Sequence, residues 1–124
     1  VAIQPGKPIV FATGGGKAYF GLSGNPMSGL VQFELFVRPF LLALQGASGA
    51  SLEISMPLGA AMRRKLADRM AFVPVRIADG RVWAVEYHGS AHLNALAVAD
   101  GLVAYPAGVD RLEEGDIVRV RLLR

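Results

Sequence analysis

The sequence predicts a mixed fold of two units: two short strands followed by a long helix, then a small unit built mainly of strands. Of the 124 residues, 52% are hydrophobic and 19% are charged, so the chain has enough apolar material to bury a core. Fifteen glycines and seven prolines favour many turns over long helices. A run of small, uncharged residues at positions 46–51 (GASGAS) separates two stretches of different character, as a linker would.

The first unit is predicted to hold two strands and one helix. Apolar runs at residues 9–12 and 18–22 flank a glycine-rich turn. A helix is predicted over residues 26–45, because Asn25 is a favourable N-cap residue and Pro26 is tolerated at the first helical position. Apolar side chains cover most of its circumference, so we expect it to be buried on most sides. Pro39 should kink this helix, and Gly46 should end it.

The second unit is predicted to consist of short strands and one short helix. Strands are expected at residues 52–56, 69–77, 82–87, 102–105 and 117–123, and a helix at 90–99. Residues 78–81 (ADGR) are expected to form a hairpin turn, and residues 112–116 (LEEGD) an acidic turn. Several short strands with one short helix predict a small β-barrel or sandwich.

Several classes of protein are excluded by the same sequence. The absence of cysteine excludes a disulfide scaffold and thiolate zinc sites. The most apolar stretch, residues 30–44, carries Gln32, Glu34, Arg38 and Pro39, so we do not expect a plain membrane span. The opening VAIQP lacks the pattern of a signal peptide and has no initiator methionine, which leads us to expect a C-terminal fragment of a longer protein.

The segment GLSGNPMS at residues 21–28 is the first candidate site. A glycine turn that leads into a helix N-terminus is expected to leave several backbone N–H groups pointing outward, which suits phosphate or another oxyanion. The spacing matches neither the Walker A motif nor the dinucleotide-binding fingerprint. A purely structural tight turn is therefore the stronger interpretation of this pattern taken alone.

Two further segments present polar groups in stiff surroundings. In QPGKP (residues 4–8), prolines and a glycine frame Lys7, which could meet an anion or merely lie in a rigid turn. In HGSAH (88–92), Gly89 breaks the geometry that would let His88 and His92 share a metal, and no third ligand is evident. Ser90, the expected N-cap of the following helix, could instead hold an oxyanion.

The charged residues predict little chemistry by themselves. The net charge is +3 and the isoelectric point about 9.7. The densest basic cluster contains Arg63, Arg64, Lys65 and Arg69, but no interleaved aromatic residues accompany it, so we expect a solvated basic edge and no nucleic-acid partner. Before the linker the sole carboxylate is Glu34, and no carboxylate pair suits magnesium or acid–base work. Any such acids are expected outside this chain.

An ordered set of short blocks resembles the C-terminal part of the molybdopterin molybdenumtransferase family, the MoeA and gephyrin E-domain group. The blocks are PGKP at 5–8, GLSGNPMS at 21–28, the helix at 33–44 with FVRP at 36–39, HGS at 88–90, ADGL at 99–102 and GD at 115–116. They occur in the family's order and span nearly the whole chain.

The resemblance implies a fold and an activity. Residues 1–46 would be the last two strands and helix of a molybdopterin-binding α/β domain, 47–51 a linker, and 52–124 the small C-terminal β-barrel domain. The family inserts molybdate into adenylated molybdopterin with Mg²⁺ and releases AMP, which makes it a transferase of molybdenum cofactor biosynthesis. The implied protein is a cytoplasmic homodimer, and this chain alone is expected to be inactive, since the ligands of Mg²⁺ lie elsewhere.

The resemblance also implies roles for particular residues. The proline-framed loop would place Lys7, with Pro5 and Gly6, near molybdate and the pterin phosphate. Arg69 and Ser90 would bind the oxyanion in the barrel domain. The floor of the pterin site would be formed by Gly24, Asn25, Pro26 and Ser28.

Two positions depart from the family pattern. Gln4 stands where the family usually has Lys, and losing that charge-assisted partner could weaken anion binding by ~1.5 to 3 kcal/mol. Ser23 stands where Pro is usual, which should loosen the glycine turn. The alternative function is therefore a weakly active or non-catalytic paralogue that serves as a molybdopterin-binding or scaffold module.

Overall fold

The computed structural model describes residues 3–4, 9–65, 67–86 and 92–123, with the backbone alone at residues 3, 4, 92 and 93. The chain divides into two compact units, Val1–Ala50 and Ser51–Arg124. Among the predicted site residues, Pro5, Gly6, Lys7 and Ser90 lie outside the described residues.

The first unit contains three short strands: β1 (Ile3–Gln4), β2 (Val10–Gly14) and β3 (Lys17–Gly21). Strands β2 and β3 pair antiparallel, from Val10 opposite Gly21 to Gly14 opposite Lys17. The two residues of the turn, Gly15 and Gly16, have φ angles of 59° and 73°, which a two-residue hairpin requires and glycine adopts without strain. The strands predicted at 9–12 and 18–22 overlap β2 and β3, whereas β1 was not predicted.

A nearly continuous helix follows the hairpin: α1 (Pro26–Gln32), a π-helical turn (Phe33–Val37) and α2 (Arg38–Leu44). The predicted N-cap is confirmed, because Asn25 Oδ1 accepts the N–H groups of Met27 and Ser28 at 3.0 and 3.3 Å. In the π turn, Arg38 N–H donates to Phe33 O, five residues back. The ladder thus widens directly ahead of Pro39, which has no N–H to donate.

The helix ends at a Schellman motif. Gly46 adopts a φ of 74°, its N–H donates to Ala43 O at 3.0 Å, and Ala47 N–H donates to Leu42 O at 2.9 Å. Glycine reaches this left-handed conformation without the steric cost that a Cβ would add. The structure confirms Gly46 as the helix terminator.

By length and apolarity alone, the helix over Pro26–Leu44 could cross a membrane. The core helix of a soluble domain passes the same test. Gln32 and Glu34 are buried within the first unit, and Glu34 Oε2 pairs with Arg38 Nη1 at 3.0 Å. Elsewhere the prediction that the helix is buried on most sides is wrong, because no residue of α2 is buried and the side chains of Leu41 and Leu44 are 43% and 70% exposed.

The second unit is a curled antiparallel sheet with one helix. Its elements are β4 (Glu53–Pro57), β5 (Met62–Arg63), β6 (Met70–Ala78), β7 (Arg81–Ala84), α3 (His92–Val98), β8 (Gly101–Tyr105), β9 (Arg111–Leu112) and β10 (Ile117–Leu122). The main sheet runs β7, β6, β8, β10, β4, and β5 pairs with β9. Beyond β4 the chain returns to β7, where Leu58 bridges Val82 and Gly59 N–H donates to Val82 O at 2.8 Å.

The core of the second unit lies between the curled strands. It consists of Leu58, Met62, Ala71, Val75, Val82, Val103, Tyr105, Val118 and Val120. The predicted hairpin at 78–81 is confirmed: Asp79 and Gly80 both have positive φ, 53° and 70°. The predicted helix at 90–99 corresponds to α3, while the two-residue strands β5 and β9 were not predicted because they are too short to show periodicity.

Candidate functional site

The turn between β3 and α1 is the part of the first unit that holds the predicted substrate-binding residues. Gly24, Asn25 and Pro26 are exposed, and Ser28 is buried with 8% of its surface accessible. The turn also contains Ser23, whose Oγ accepts the N–H of Asn25 at 3.3 Å. The structure therefore brings these predicted residues together at the start of one helix.

The expectation that several helix N–H groups face outward is wrong. Asn25 Oδ1 takes the donors of the second and third helical residues, and Asn25 O accepts the N–H of Gly29 at 2.8 Å. Pro26 has no N–H. From residue 23 to residue 29 of the described chain, the N–H of Gly24 alone has no acceptor. The same cap that makes the helix start at this point consumes the donors that an anion would need.

Two neutral N–H donors remain on the surface of the turn. Because Asn25 Oδ1 is occupied by backbone N–H groups, its Nδ2 amide points away from the helix end as a donor. The Gly24 N–H is the second donor. Neutral donors suit a carbonyl oxygen or a ring nitrogen, and they can also meet a phosphate oxygen without neutralising its charge.

A groove of about 800 Å³ lies elsewhere in the first unit, beside the β2–β3 turn. Its lining includes Thr13, Lys17, Tyr19, Phe40 and Leu44, and is mainly apolar. These residues surround the opposite end of β3 from Gly24 and Asn25. None of the predicted site residues that the structure describes lines this groove.

The basic cluster of the second unit is not simply a solvated edge. The guanidinium of Arg64 donates three hydrogen bonds to backbone carbonyls: Nε to Val109 at 2.7 Å, Nη1 to Arg69 at 2.6 Å and Nη2 to Pro106 at 2.8 Å. It also lies 5.0 Å from the centre of the Tyr105 ring, in cation–π range. The expectation of a solvated basic edge is therefore wrong for Arg64. The sequence does not indicate this structural role, because two of the acceptors lie more than forty residues away.

Arg69, the predicted oxyanion ligand, is half-buried immediately before β6. Its Nε is 3.4 Å from Asp68 Oδ2, an exposed carboxylate. Such surface pairs contribute little, ~0 to 1 kcal/mol, so an incoming oxyanion could replace this partner. The backbone of Arg69 is held by Arg64, which orients the residue while its guanidinium stays partly accessible.

Among the described residues of the second unit, the hydroxyl oxygen of Tyr105 is buried and has no hydrogen-bond partner. Burial raises the pKa of the Tyr105 hydroxyl, and the positive charge of Arg64 opposes that rise.

Two blocks of the family resemblance have structural roles. Asp100 Oδ2 accepts the N–H of Ile77 at 2.8 Å, and a Cβ on Gly101 would lie 2.5 Å from Val120 Cγ1. Asp116 Oδ2 accepts the N–H of Glu113 at 2.8 Å, while Gly115 has a φ of 85°. These residues close turns and pack strands, so they are not candidates for chemistry.

Metal binding finds no support in the described part of the chain. Over residues 9–65, 67–86 and 94–123, no three His, Asp or Glu side chains converge as ligands would. His88 lies outside the described residues, as do Pro5, Gly6, Lys7 and Ser90, and of His92 only the backbone is described. The structure does not place the proposed cationic loop or the predicted hydroxyl ligand.

Comparison with known proteins gives consistent matches along the chain. The sequence profile of the MoeA C-terminal region (domain IV) matches residues 57–123. A Methanocaldococcus jannaschii protein named for molybdopterin biosynthesis is 35% identical over 100% of this chain and 29% of its own length. The molybdopterin molybdenumtransferase of Synechococcus elongatus is 33% identical over 99% of this chain and 30% of its own length.

A solved structure agrees with these sequence matches. The molybdopterin biosynthesis MoeA protein from Pyrococcus horikosii superimposes with a TM-score of 0.86 at 35% identity, over 99% of this chain and 30% of that protein. The chain therefore spans 29 to 30% of the length of these three relatives.

Proposed function

The chain belongs to the MoeA family of molybdopterin biosynthesis proteins, and from this membership we propose that it is the C-terminal part of an enzyme that inserts molybdate into adenylated molybdopterin and releases AMP. The observation that carries the proposal is the alignment of a molybdopterin molybdenumtransferase over 99% of the chain, across both units. In this proposal the first unit completes a molybdopterin-binding α/β domain, and the second unit is a small β-barrel domain. The complete enzyme would be a cytoplasmic homodimer.

The turn of the first unit is proposed to contact the pterin. Gly24 N–H and Asn25 Nδ2 are donors that match the carbonyl oxygen and ring nitrogens of a pterin, and Pro26 and Ser28 hold the adjoining start of the helix. Neutral donors favour the uncharged ring over the phosphate. The charge of molybdate and phosphate is then left to cations elsewhere in the site.

Those cations are proposed to be Lys7, framed by Pro5 and Gly6, and Arg69, with Ser90 as a neutral donor. The assignment of Arg69 is supported by its partly accessible side chain, whose ion pair within the described part of the chain is with the exposed carboxylate of Asp68. Cations and directed donors around an oxyanion lower the energy of charge that develops on it. Each of these roles is carried over from the family pattern.

Mg²⁺ does not fit the described residues, because no three potential ligands among them converge. Before the linker the chain contains one carboxylate, Glu34, and it is buried and paired with Arg38. The ligands of Mg²⁺ are therefore proposed to lie outside this chain.

The proposal is tested by AMP release from adenylated molybdopterin in the presence of molybdate and Mg²⁺. We expect no turnover by the 124-residue chain, and turnover by a protein that carries it together with the remaining length of its relatives. Omitting molybdate is the matched control. Robust turnover by the 124-residue chain alone would contradict the assignment of essential groups to the rest of the enzyme.

The alternative is a paralogue that binds molybdopterin but inserts molybdate poorly. It rests on Gln4, which stands where the family usually has a cation. Restoring the charge with Gln4→Lys in the longer protein should raise turnover up to about a hundredfold if the missing cation limits it. High turnover that does not rise would rule the alternative out.

A third possibility is that the second unit only provides stability and dimer geometry. Arg69→Ala and Ser90→Ala in the longer protein distinguish it from the proposal. We expect each to weaken molybdate binding by about tenfold or more while molybdopterin binding by the first unit is retained. Unchanged molybdate affinity in both variants would favour the stability role.

A further inference from the structure

Gln32, the last residue of α1, makes a buried contact with the turn that precedes the helix. Its side chain is completely buried, and its Oε1 accepts the N–H of Ser23, nine residues earlier, at 2.8 Å. A backbone N–H only donates, so the group facing it must be the carbonyl oxygen of the amide. Burying an amide is costly unless it is hydrogen-bonded, which makes this contact more than incidental.

The contact ties the loop segment at Ser23 to the far end of α1, beyond the first turn of the helix. The other hydrogen bonds of the segment are local: Asn25 N–H donates to Ser23 Oγ, and Gly29 N–H donates to Asn25 O. A Cβ on Gly29 would approach Ser23 O to 3.1 Å, so the turn also lies close against the helix. The bond from Gln32 therefore sets the position of Ser23 relative to the helix axis.

Ser23 can take part because it has an N–H. A proline at this position would hold φ by its ring but would have no donor to offer. Where proline would stiffen the turn covalently, this chain has a hydrogen bond to a buried side chain. The expected loosening by Ser23 is thus opposed by an anchor that the sequence spacing did not suggest.

We propose that Gln32 is a positioning residue: through the Ser23 N–H, its side-chain carbonyl sets where the Gly24 N–H and the Asn25 Nδ2 amide point. The role rests on the proposed function, in which those two donors contact molybdopterin. Gln32 itself is buried and touches no ligand. Its effect on binding reaches the ligand only through the backbone of residues 23–25.

The test is a double-mutant cycle in the longer protein, which carries this chain together with the remaining length of its relatives. Gln32→Met keeps an unbranched side chain of similar length and removes the acceptor, and Ser23→Pro removes the donor. We expect Gln32→Met to speed hydrogen exchange of the Ser23 amide by about tenfold or more, measured by NMR, and to weaken molybdopterin binding by about tenfold. In the Ser23→Pro background the same change should alter the molybdopterin Kd by less than about twofold, because the pair no longer exists.

A further variant separates positioning from general damage to the helix. Val31→Ala is the matched control, because Val31 is equally buried in the same helix but its side chain has no acceptor for the Ser23 N–H. It should destabilise the unit and leave both the relative exchange of the Ser23 amide and the Kd unchanged. If Gln32→Met proves unable to fold, the unmodified chain still supplies a test: the Ser23 amide, which donates to Gln32 Oε1, should exchange at least about tenfold more slowly than the Gly24 amide, and equal rates would overturn the anchoring role.

The outcomes separate this inference from the proposed function. If Gln32→Met is as damaging with Pro at position 23 as with Ser, or if Ser23 exchange is unaffected, Gln32 is not a positioning residue. If the longer protein without substitutions binds no molybdopterin while the Ser23 amide responds to Gln32 as expected, the assignment of the turn to the pterin fails and the anchoring role stands.

Discussion

Replacing Arg64 with lysine gives the sharpest test of how the second unit is held together. The Arg64 guanidinium donates to the carbonyls of Val109, Arg69 and Pro106 at 2.6 to 2.8 Å and lies over the ring of Tyr105. These contacts join β5, the start of β6 and the loop after β8. A lysine keeps the positive charge but has one compact ammonium, which cannot reach three carbonyls in three directions.

The magnitude follows from the bonds that lysine cannot replace. Two lost hydrogen bonds from a charged donor correspond to ~3 to 6 kcal/mol before relaxation. The Pro106 contact is exposed, and water can satisfy that carbonyl, so we expect a net loss of about 2 to 4 kcal/mol. Since domains of this size are stable by only ~5 kcal/mol or a little more, Arg64→Lys should remove a large share of the free energy of unfolding.

The assay is urea unfolding followed by the fluorescence of Trp83, the single tryptophan of the chain, which lies in the second unit. Arg63→Lys is the matched control, because Arg63 is the neighbouring residue of β5 and is exposed. It should change the free energy of unfolding by less than ~0.5 kcal/mol. Equal midpoints for the two lysine variants would refute the assignment of Arg64 as a structural cation.

Three other predictions follow from single contacts. Tyr105→Phe removes a buried hydroxyl that has no hydrogen bond, so it should be neutral or stabilise by up to ~1 kcal/mol. Burial raises the pKa of Tyr105 above its usual 10.0, so the folded unit keeps the proton at a pH where the unfolded chain has lost it. Stability should therefore fall as the pH rises above about 10, and it should fall less steeply in Tyr105→Phe. Thermal melts at pH 8 to 11 measure this difference. Gly101→Ala should lower the free energy of unfolding by ~1 to 3 kcal/mol or more, because the new Cβ would overlap Val120. Gly14→Ala is the control: a Cβ there has nothing within 4 Å and should change the Tm little. Similar losses of stability in the two variants would contradict the packing argument. Asn25→Asp keeps the helix cap and removes the Nδ2 donor, so molybdopterin affinity should fall while the Tm stays within a few degrees, and unchanged affinity would argue against a pterin contact.

The fold was largely predictable where local rules decide it. Asn25 and Pro26 start the helix and Gly46 ends it, because capping depends on the residues at the helix ends. The hairpin at residues 78–81 follows from Asp79 and Gly80, which tolerate positive φ. The sequence did not predict β5 and β9, since a pair of residues has no periodicity and their pairing depends on chain segments about fifty residues apart.

The start of the helix at the candidate site was predictable, but the hydrogen-bond donors left free around it were not. The GLSGNPMS block marked the turn correctly as a helix start. The expectation of several free N–H groups was wrong because the Asn25 side chain, which starts the helix, accepts those N–H groups itself. A cap and an anion site compete for the same donors, and only the geometry of the Asn25 side chain shows which one has them.

By itself the sequence determined the family, the order of the main elements and the helix ends, because short blocks in fixed order and local backbone preferences are encoded by neighbouring residues. Only the tertiary structure decided the roles of Arg64 and Gln32. In the sequence the first lies in a basic run and the second in an apolar helix, but their partners are the carbonyls of Val109 and Pro106 and the N–H of Ser23. A hydrogen bond to a distant backbone group depends on where folding places that group. Since almost every residue has the same backbone N–H and C=O groups, the sequence does not indicate which of them will be the partner.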